Sequence, residues 1–231
     1  MEAITVPIWN GWLPLALATL FITLTTRLAV VLLFYVGKPL PPSSIKRHLT
    51  TVIVLGSGGH TAEMLNLVAV LNKDRFCPRW YIAAATDNMS LARAKVAEES
   101  GMGQAEGSML QGSKYMQIYR SREVGQSYLT SIGTTLVAMV HALWLIFKIR
   151  PDVILCNGPG TCIPLCIAGF CLKVFGVKRV TIFYVESIAR VRKLSLSGLL
   201  LYKLHLADQL FVQWPQLKQK YPKVQYVGRL M

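Results

Sequence analysis

The sequence predicts an α/β fold, a single parallel sheet with helices on both faces, joined to one N-terminal transmembrane helix. Three observations predict it. An apolar stretch, LPLALATLFITLTTRLAVVLLFYV, runs from Leu13 to Val36. After Thr51, short β-branched runs alternate with longer helical stretches, the pattern of a parallel sheet covered by helices. The length, 231 residues, suffices for one well-buried domain once a membrane segment is set aside.

The apolar stretch is 24 residues long. As a helix it measures roughly 36 Å, enough to cross a hydrocarbon core of about 30 Å with tilt. Its only charge is Arg27, which costs about 2.5 to 3.5 kcal/mol on insertion scales and less if the side chain reaches an interface. A cleaved signal peptide fits poorly, because no Lys or Arg precedes Leu13 and no small-residue cleavage site follows the run. Lys38, Lys46 and Arg47 follow the span and only Glu2 precedes it, so the positive-inside bias places the C-terminal part in the cytosol. The expected organisation is a short lumenal N-terminus (1–12), an anchor (13–36), a linker with PLPP at Pro39 to Pro42 (37–50) and a cytosolic domain (51–231).

The expected strands are Thr51 to Leu55, Trp80 to Ala85, Tyr115 to Tyr119, Asp152 to Cys156, Val180 to Val185, Gln209 to Val212 and Val224 to Val227. Between the third and fourth lies Leu129 to Ile149, apolar enough to imitate a second span. Were it one, the strands on either side of it would lie across the bilayer from each other and could not share a sheet. It is therefore expected to be a crossover helix, buried or facing lipid, with His141 as a satisfied core histidine.

Composition narrows function. Of 25 basic and 11 acidic residues, Arg27 and Glu2 lie in the first 36, which leaves 24 against 10 and the whole net charge of +14 on the remainder. Such a balance suits nucleic acid, an anionic membrane face or phosphate-bearing substrates. The basic residues are scattered apart from Arg190, Arg192 and Lys193, which disfavours nucleic acid. Five cysteines, Cys77, Cys156, Cys162, Cys166 and Cys171, form no CxxC pair and are expected as free, mostly buried thiols in a reducing compartment. No metal-ligand spacing is present.

Two glycine loops are the candidates for chemistry, the alternative for each being a plain strand-to-helix turn with no ligand. TVIVLGSGGHTAEML reads as a strand, a turn of Gly56, Ser57, Gly58 and Gly59, and a helix starting near His60 or Thr61, which aims backbone N–H groups and a helix N-terminus at an anion such as a diphosphate. It lacks the GK[ST] of a Walker loop and has Thr61 at the third glycine position of the dinucleotide fingerprint. His60 is available to bond phosphate, to transfer a proton or to cap the helix. DVILCNGPGT repeats the arrangement, with Asn157, Gly158, Pro159, Gly160 and Thr161 after a strand; both loops are expected at the carboxyl edge of the sheet, where ligands bind. At a third strand end stand Glu186 and Ser187, the acid meeting either a sugar hydroxyl or Arg190. Thr86 and Asp87 of TDNMS and Arg120 to Glu123 of RSRE are expected on the same rim.

Taken together, GSGGHTAEML, TDNMS, RSREVGQS, LCNGPGTC, YVESIARV and FVQWPQLKQKYP, in this order behind an N-terminal anchor, resemble the membrane-anchor subunit of the eukaryotic UDP-N-acetylglucosamine transferase of asparagine-linked glycosylation. The resemblance covers Thr51 to Met231. It implies a Rossmann-like acceptor-side half of a GT-B glycosyltransferase on the cytosolic face of the endoplasmic reticulum. The reaction it implies adds the second GlcNAc to GlcNAc-diphosphodolichol. The other half, a soluble catalytic subunit, is expected as a separate protein that supplies the UDP-GlcNAc donor, so no cofactor is expected on this chain. The resemblance further implies that Gly56 to His60 and Asn157 to Thr161 meet the acceptor diphosphate or line the cleft, and that Glu186 and Ser187 meet sugar. The general base is unassigned between His60 and Glu186, and Tyr226, Val227, Gly228, Arg229, Leu230 and Met231 form a docking element for the partner. The rival readings are a pure membrane scaffold and a self-sufficient enzyme on a lipid-linked substrate.

Overall fold

A computed structural model describes residues 12–37, 48–101, 112–120, 128–158 and 160–230. Residues 1–11 of the expected lumenal N-terminus, the part of the expected linker that holds PLPP, Lys38, Lys46 and Arg47, the residues 121–123 of RSRE, Pro159 and Met231 lie outside the described residues.

All seven expected strands form: β1 (Thr51–Val54), β2 (Arg79–Ala84), β3 (Lys114–Ile118), β4 (Val153–Asn157), β5 (Thr181–Val185), β6 (Gln209–Val212) and β7 (Gln225–Tyr226). They make one parallel sheet in the order β3-β2-β1-β4-β5-β6-β7. The crossovers are α2 (Gly59–Ala69), α3 (Ser90–Gly101), α4 (Tyr128–Ile149), α5 (Cys162–Val174), α6 (Leu196–Lys203) and α7 (Pro215–Lys220). Because β1 lies between β2 and β4, the order reverses there, which opens a crevice at the carboxyl ends of β1 and β4.

Strand periodicity sorts the core into two layers. Val52 and Val54 of β1, Ile154 and Cys156 of β4, and Ile182 and Tyr184 of β5 pack with Ala142, Leu145, Leu165 and Leu201 from α4, α5 and α6. Ile53, Leu155 and Val185, one residue out of phase, pack with Met64, Val68 and Ala94 from α2 and α3. Both sheet faces are buried, which is why the strands read as continuous apolar runs rather than alternating ones.

The expected anchor segment forms α1 (Trp12–Val30), followed by a π-helical turn, Val31–Tyr35, closed by Val36 N–H donating to the Val31 carbonyl at 3.1 Å. Nearly all of α1 is exposed, and the segment Trp12–Tyr35 is long and apolar enough to cross a membrane. α4 is the crossover from β3 to β4, two strands of the one sheet separated by β2 and β1, as expected. Ala138, Ala142, Leu145 and Ile146 are buried, whereas Ile132, Leu136, Val137, Val140 and Trp144 are exposed. His141 departs from expectation: it lies between the rings of Tyr119 and Trp144, 5.5 and 6.0 Å away, and its buried Nδ1 has no hydrogen-bond partner. The five thiols are free, with Cys156, Cys162 and Cys166 buried and Cys77 and Cys171 half-buried.

One ion pair is sealed in the core. Lys173 Nζ, in the last turn of α5, donates to both carboxylate oxygens of Asp208 at 2.9 and 2.7 Å, and Asp208 Oδ2 also accepts from the Ile182 N–H at 2.7 Å. The pair ties α5 to β5 and to the start of β6. Burial pushes the lysine pKa down and the aspartate pKa up, and the bidentate contact opposes both shifts.

Candidate functional site

The crevice is assembled by strand parity. Asn157 shares the phase of Leu155, and Ser187 that of Val185, so both side chains turn toward α2. From α2, His60 and Glu63 face them on one side of the first turn, three residues apart. Four residues from three elements meet there. Glu63, 7% exposed, accepts from Ser187 Oγ at 2.8 Å and from Asn157 Nδ2 at 2.8 Å. Asn157 Oδ1 in turn lies 3.0 Å from His60 Nδ1.

This chain fixes a tautomer. A carboxylate only accepts, so Asn157 must present its NH₂ to Glu63 and its carbonyl oxygen to His60; a carbonyl also only accepts, so His60 Nδ1 carries the proton. In the neutral imidazole, Nε2 is left with its lone pair available to take a proton from a bound hydroxyl. Glu63 is thus a positioning residue that acts through Asn157. The sequence reading did not single it out, although its three-residue offset from His60 was the available signal.

Gly158 holds the ring in place. Its φ of +81° favours glycine, and a Cβ there would lie 2.5 Å from His60 Nδ1. Gly58 (φ +61°) and Gly59 differ: a Cβ at either would meet nothing within 4 Å. The space beside them is open, and α2 starts there with no side-chain cap on its N–H groups. Such uncapped, solvent-facing donors attract anions. A cavity of about 410 Å³ adjoins them, lined by Ser57, Gly58, Thr86, Asp87, Arg93 and Arg120 among others. Thr86, Asp87 and Arg120 therefore share the rim with the glycine loop, as expected, and Arg93 joins them from α3. Ser90 braces the loop by donating to the Gly56 carbonyl at 2.9 Å, and its neighbour Thr61 bonds the same carbonyl. Thr61, at the position where the dinucleotide fingerprint has glycine, is thus a loop brace.

Glu186 is placed differently from its neighbours. It shares the phase of Tyr184, so its carboxyl turns to the opposite layer, where it is fully buried against α6. It accepts from Ser195 N–H at 2.9 Å and Ser187 N–H at 3.2 Å, and its Oε2 lies 3.0 Å from Ser195 Oγ. No ion pair with Arg190 forms. The Tyr184 hydroxyl lies 2.9 Å from Ser195 Oγ and donates to the Gly158 carbonyl at 3.1 Å. Counting hydrogens, every link closes when Glu186 is protonated: the carboxyl donates to Ser195, Ser195 to Tyr184, and Tyr184 to Gly158. Burial pushes the Glu186 pKa up, in the same direction.

A raised acid pKa means that the folded state holds its proton more tightly than the unfolded chain, so the group's contribution to stability is full at low pH. That contribution falls as pH rises from the unfolded carboxyl value through the folded one. Glu186→Gln is neutral at every pH and is expected to abolish this pH dependence, at a cost of about 1 to 3 kcal/mol because its NH₂ must face the Ser195 or the Ser187 N–H that a carboxyl oxygen accepts. Thermal unfolding of both chains against pH checks this; a pH dependence unchanged by Gln would contradict the assignment.

Of the sequence-expected site residues, Gly56 to His60 and Asn157, Gly158 and Ser187 converge on the crevice. Thr161 is buried before α5, Gly160 is exposed beside it, and Pro159 lies outside the described residues. No group of three or more His, Cys, Asp or Glu with metal-holding geometry occurs among the described residues.

Comparison with known proteins agrees with this picture. Residues 51–230 match the family described as oligosaccharide biosynthesis protein Alg14 like. The chain is 44% identical over 93% of its length to all of a Mus musculus protein named UDP-N-acetylglucosamine transferase subunit ALG14. Proteins of the same name from Homo sapiens (44% identity over 80% of this chain and 85% of that one) and Yarrowia lipolytica (42% over 78% and 80%) are also similar. Among solved structures, MurG from Acinetobacter baumannii superposes with a TM-score of 0.50 at 16% identity, covering 73% of this chain. This chain spans only 42% of that one, and the likeness shows the fold of one GT-B half. The chain belongs to the Alg14-like family of oligosaccharide biosynthesis proteins.

Proposed function

We propose that this chain is the membrane-anchored, acceptor-side subunit of a heteromeric N-acetylglucosaminyltransferase that moves GlcNAc from UDP-GlcNAc to GlcNAc-diphosphodolichol on the cytosolic face of the endoplasmic reticulum. The observation that carries the reading is the chain Glu63–Asn157–His60 at the sheet's switch point, beside a cation-lined cavity at the N-terminus of α2. The relatives' name, a UDP-N-acetylglucosamine transferase subunit, supports it, as does the apolar helix α1.

In this reading the acceptor diphosphate lies in the cavity against the α2 N–H groups, Arg93 and Arg120, where fixed dipoles and cations neutralise it. The acceptor sugar hydroxyl reaches His60 Nε2. As its oxygen forms the bond to the anomeric carbon of the donor, the proton passes to Nε2 and the anomeric carbon–oxygen bond breaks, its electron pair leaving with UDP. A second nucleotide-fold half must hold the donor, and a soluble catalytic subunit supplies it. Neither a metal nor a cofactor on this chain is part of the scheme.

The docking element is proposed at the free edge of the sheet. On β7, Tyr226 is 50% exposed and the following Val227 42%. Beyond the turn at Gly228 the chain folds back: Arg229 stacks 4.6 Å over Trp214, and Leu230 N–H donates to Gln213 Oε1 at 3.0 Å. Deleting residues 228–231 is expected to abolish co-purification of the soluble subunit from membranes while leaving the melting temperature of the chain within a few degrees. Retained co-purification would remove the tail from the interface. Purification from membranes with identification of the co-purifying subunit tests the whole assignment; a chain that transfers GlcNAc with no partner would favour the self-sufficient enzyme instead.

A further inference from the structure

The junction of the anchor with the domain forms a second, unrelated site. Val31 is 1% exposed, so the end of α1 leans on the domain. The Arg27 guanidinium lies against Gly176 at the carboxyl end of α5, its Nη2 2.8 Å from where a Cβ would stand, and Gly176 has φ +69°. Arg179 stacks over the ring of Tyr35 with its guanidinium carbon 4.7 Å from the centroid. These contacts close a cavity of about 120 Å³ lined by Arg27, Tyr35, Lys173, Gly176, Lys178 and Arg179.

Charge in this cavity is unbalanced. Lys173 is neutralised by Asp208 at 2.7 Å, and Lys178 by Asp152 at 2.9 Å. Arg27 and Arg179 form no ion pair with a carboxylate among the described residues, and the Asp208 carboxylate that Arg179 feels is already held by Lys173, so two guanidiniums line the cavity with excess positive charge beside an apolar helix. Guanidiniums so placed match a phosphate in geometry and charge. The surroundings select its source. Phe175 is 57% exposed and Val177 40% exposed, so among the described residues the basic pocket is bordered by exposed apolar surface. A ligand with an anionic head and apolar tails satisfies both.

We propose that this cavity binds the phosphate of an anionic phospholipid and sets the depth of the domain at the bilayer. The proposal rests on the reading that α1 spans the membrane. It places the headgroup plane near Tyr35 and Arg179, at the domain end of the apolar span, with the Arg27 side chain extended toward it and Phe175 reaching the upper acyl chains.

The test uses the full chain in phosphatidylcholine nanodiscs with or without phosphatidylinositol, with retained lipids counted by native mass spectrometry. The wild-type chain is expected to keep one phosphatidylinositol in preference to phosphatidylcholine. In Arg27→Gln/Arg179→Gln that preference falls about tenfold or more, since each interfacial cation contributes a several-fold factor. Arg27→Lys/Arg179→Lys, which keeps the charge, retains a preference for phosphatidylinositol, and the circular dichroism of all three chains is the same. Equal retention by the wild type and the glutamine variant overturns the site. Full displacement of the lipid by inorganic phosphate alone overturns the lipid assignment in favour of a free-phosphate site. Loss of preference in the lysine variant equal to that in the glutamine variant overturns the charge-based recognition. Wild-type chain that fails to float with pure phosphatidylcholine vesicles refutes the anchor, and the lipid site with it. A chain that floats yet shows no anionic preference refutes the site alone.

Discussion

His60→Ala, assembled with its partner at the membrane, is expected to lose transferase activity by about 10² to 10⁴ in kcat, the usual contribution of a positioned proton acceptor. The binding of the soluble subunit should be unchanged. His60 is the imidazole on the switch-point crevice, and its Nδ1 is already committed to Asn157 Oδ1 at 3.0 Å, so Nε2 is free to act. Glu63→Gln sharpens the test. A neutral amide no longer forces the orientation of Asn157, both His60 tautomers become accessible, and part of the enzyme holds the wrong nitrogen free. Activity should fall less than in His60→Ala, with KM little changed because the acceptor diphosphate lies elsewhere. ¹⁵N spectra of His60 give a readout independent of turnover: the Nδ1–H form in the parent and a mixture in Glu63→Gln. Gly158→Ala should resemble His60→Ala, since its methyl would displace the ring. Normal transfer by the His60→Ala complex would leave the domain a scaffold.

The largest effect on stability is expected at the buried pair. Asp208→Ala leaves Lys173, 5% exposed, as an uncompensated cation and also removes the acceptor of the Ile182 N–H. Breaking such a pair from one side costs about 3 to 5 kcal/mol, which for a domain of this size lowers the melting temperature by roughly 10 °C. Lys173→Met alone leaves Asp208 buried with one backbone donor and should cost somewhat less. Replacing both, Lys173→Met with Asp208→Ala, removes the stranded charge as well as the attraction, and should recover much of the loss. Thermal unfolding of the four chains in the same detergent gives the cycle; a double variant as unstable as the sum of the singles would contradict this account.

Most of the sheet was legible because its strands are buried on both faces and their apolar runs, Thr51 to Val54 and Val153 to Cys156 among them, are bounded by glycine loops. The crossover role of α4 was legible from topology, since β3 and β4 must share a sheet. Side-chain direction was harder. Glu63 reads along the chain as an ordinary acid on a helix; only its offset from His60 and the arrival of Asn157 and Ser187 from distant strands make it central. Glu186 and Ser187 read as one strand-end pair, yet period-two alternation sends them to opposite layers, Ser187 to the crevice and Glu186 into the packing beneath α6. Extending the phase of Ile182 and Tyr184 by one step gives that answer. Arg27 read as a tolerated charge in a lipid-spanning helix. The Gly176 turn that receives it is 149 residues away in sequence, and no local pattern links the two.

That this chain supplies one half of a transferase active site is tested most directly by a transfer assay on purified components. UDP-GlcNAc and GlcNAc-diphosphodolichol are offered to the full chain alone, to the soluble subunit alone and to the two together. Product is expected only from the mixture, reduced about 10² to 10⁴ when the chain carries His60→Ala. Product from the soluble subunit alone, or equal product from the His60→Ala mixture, would show that the chain holds no part of the active site.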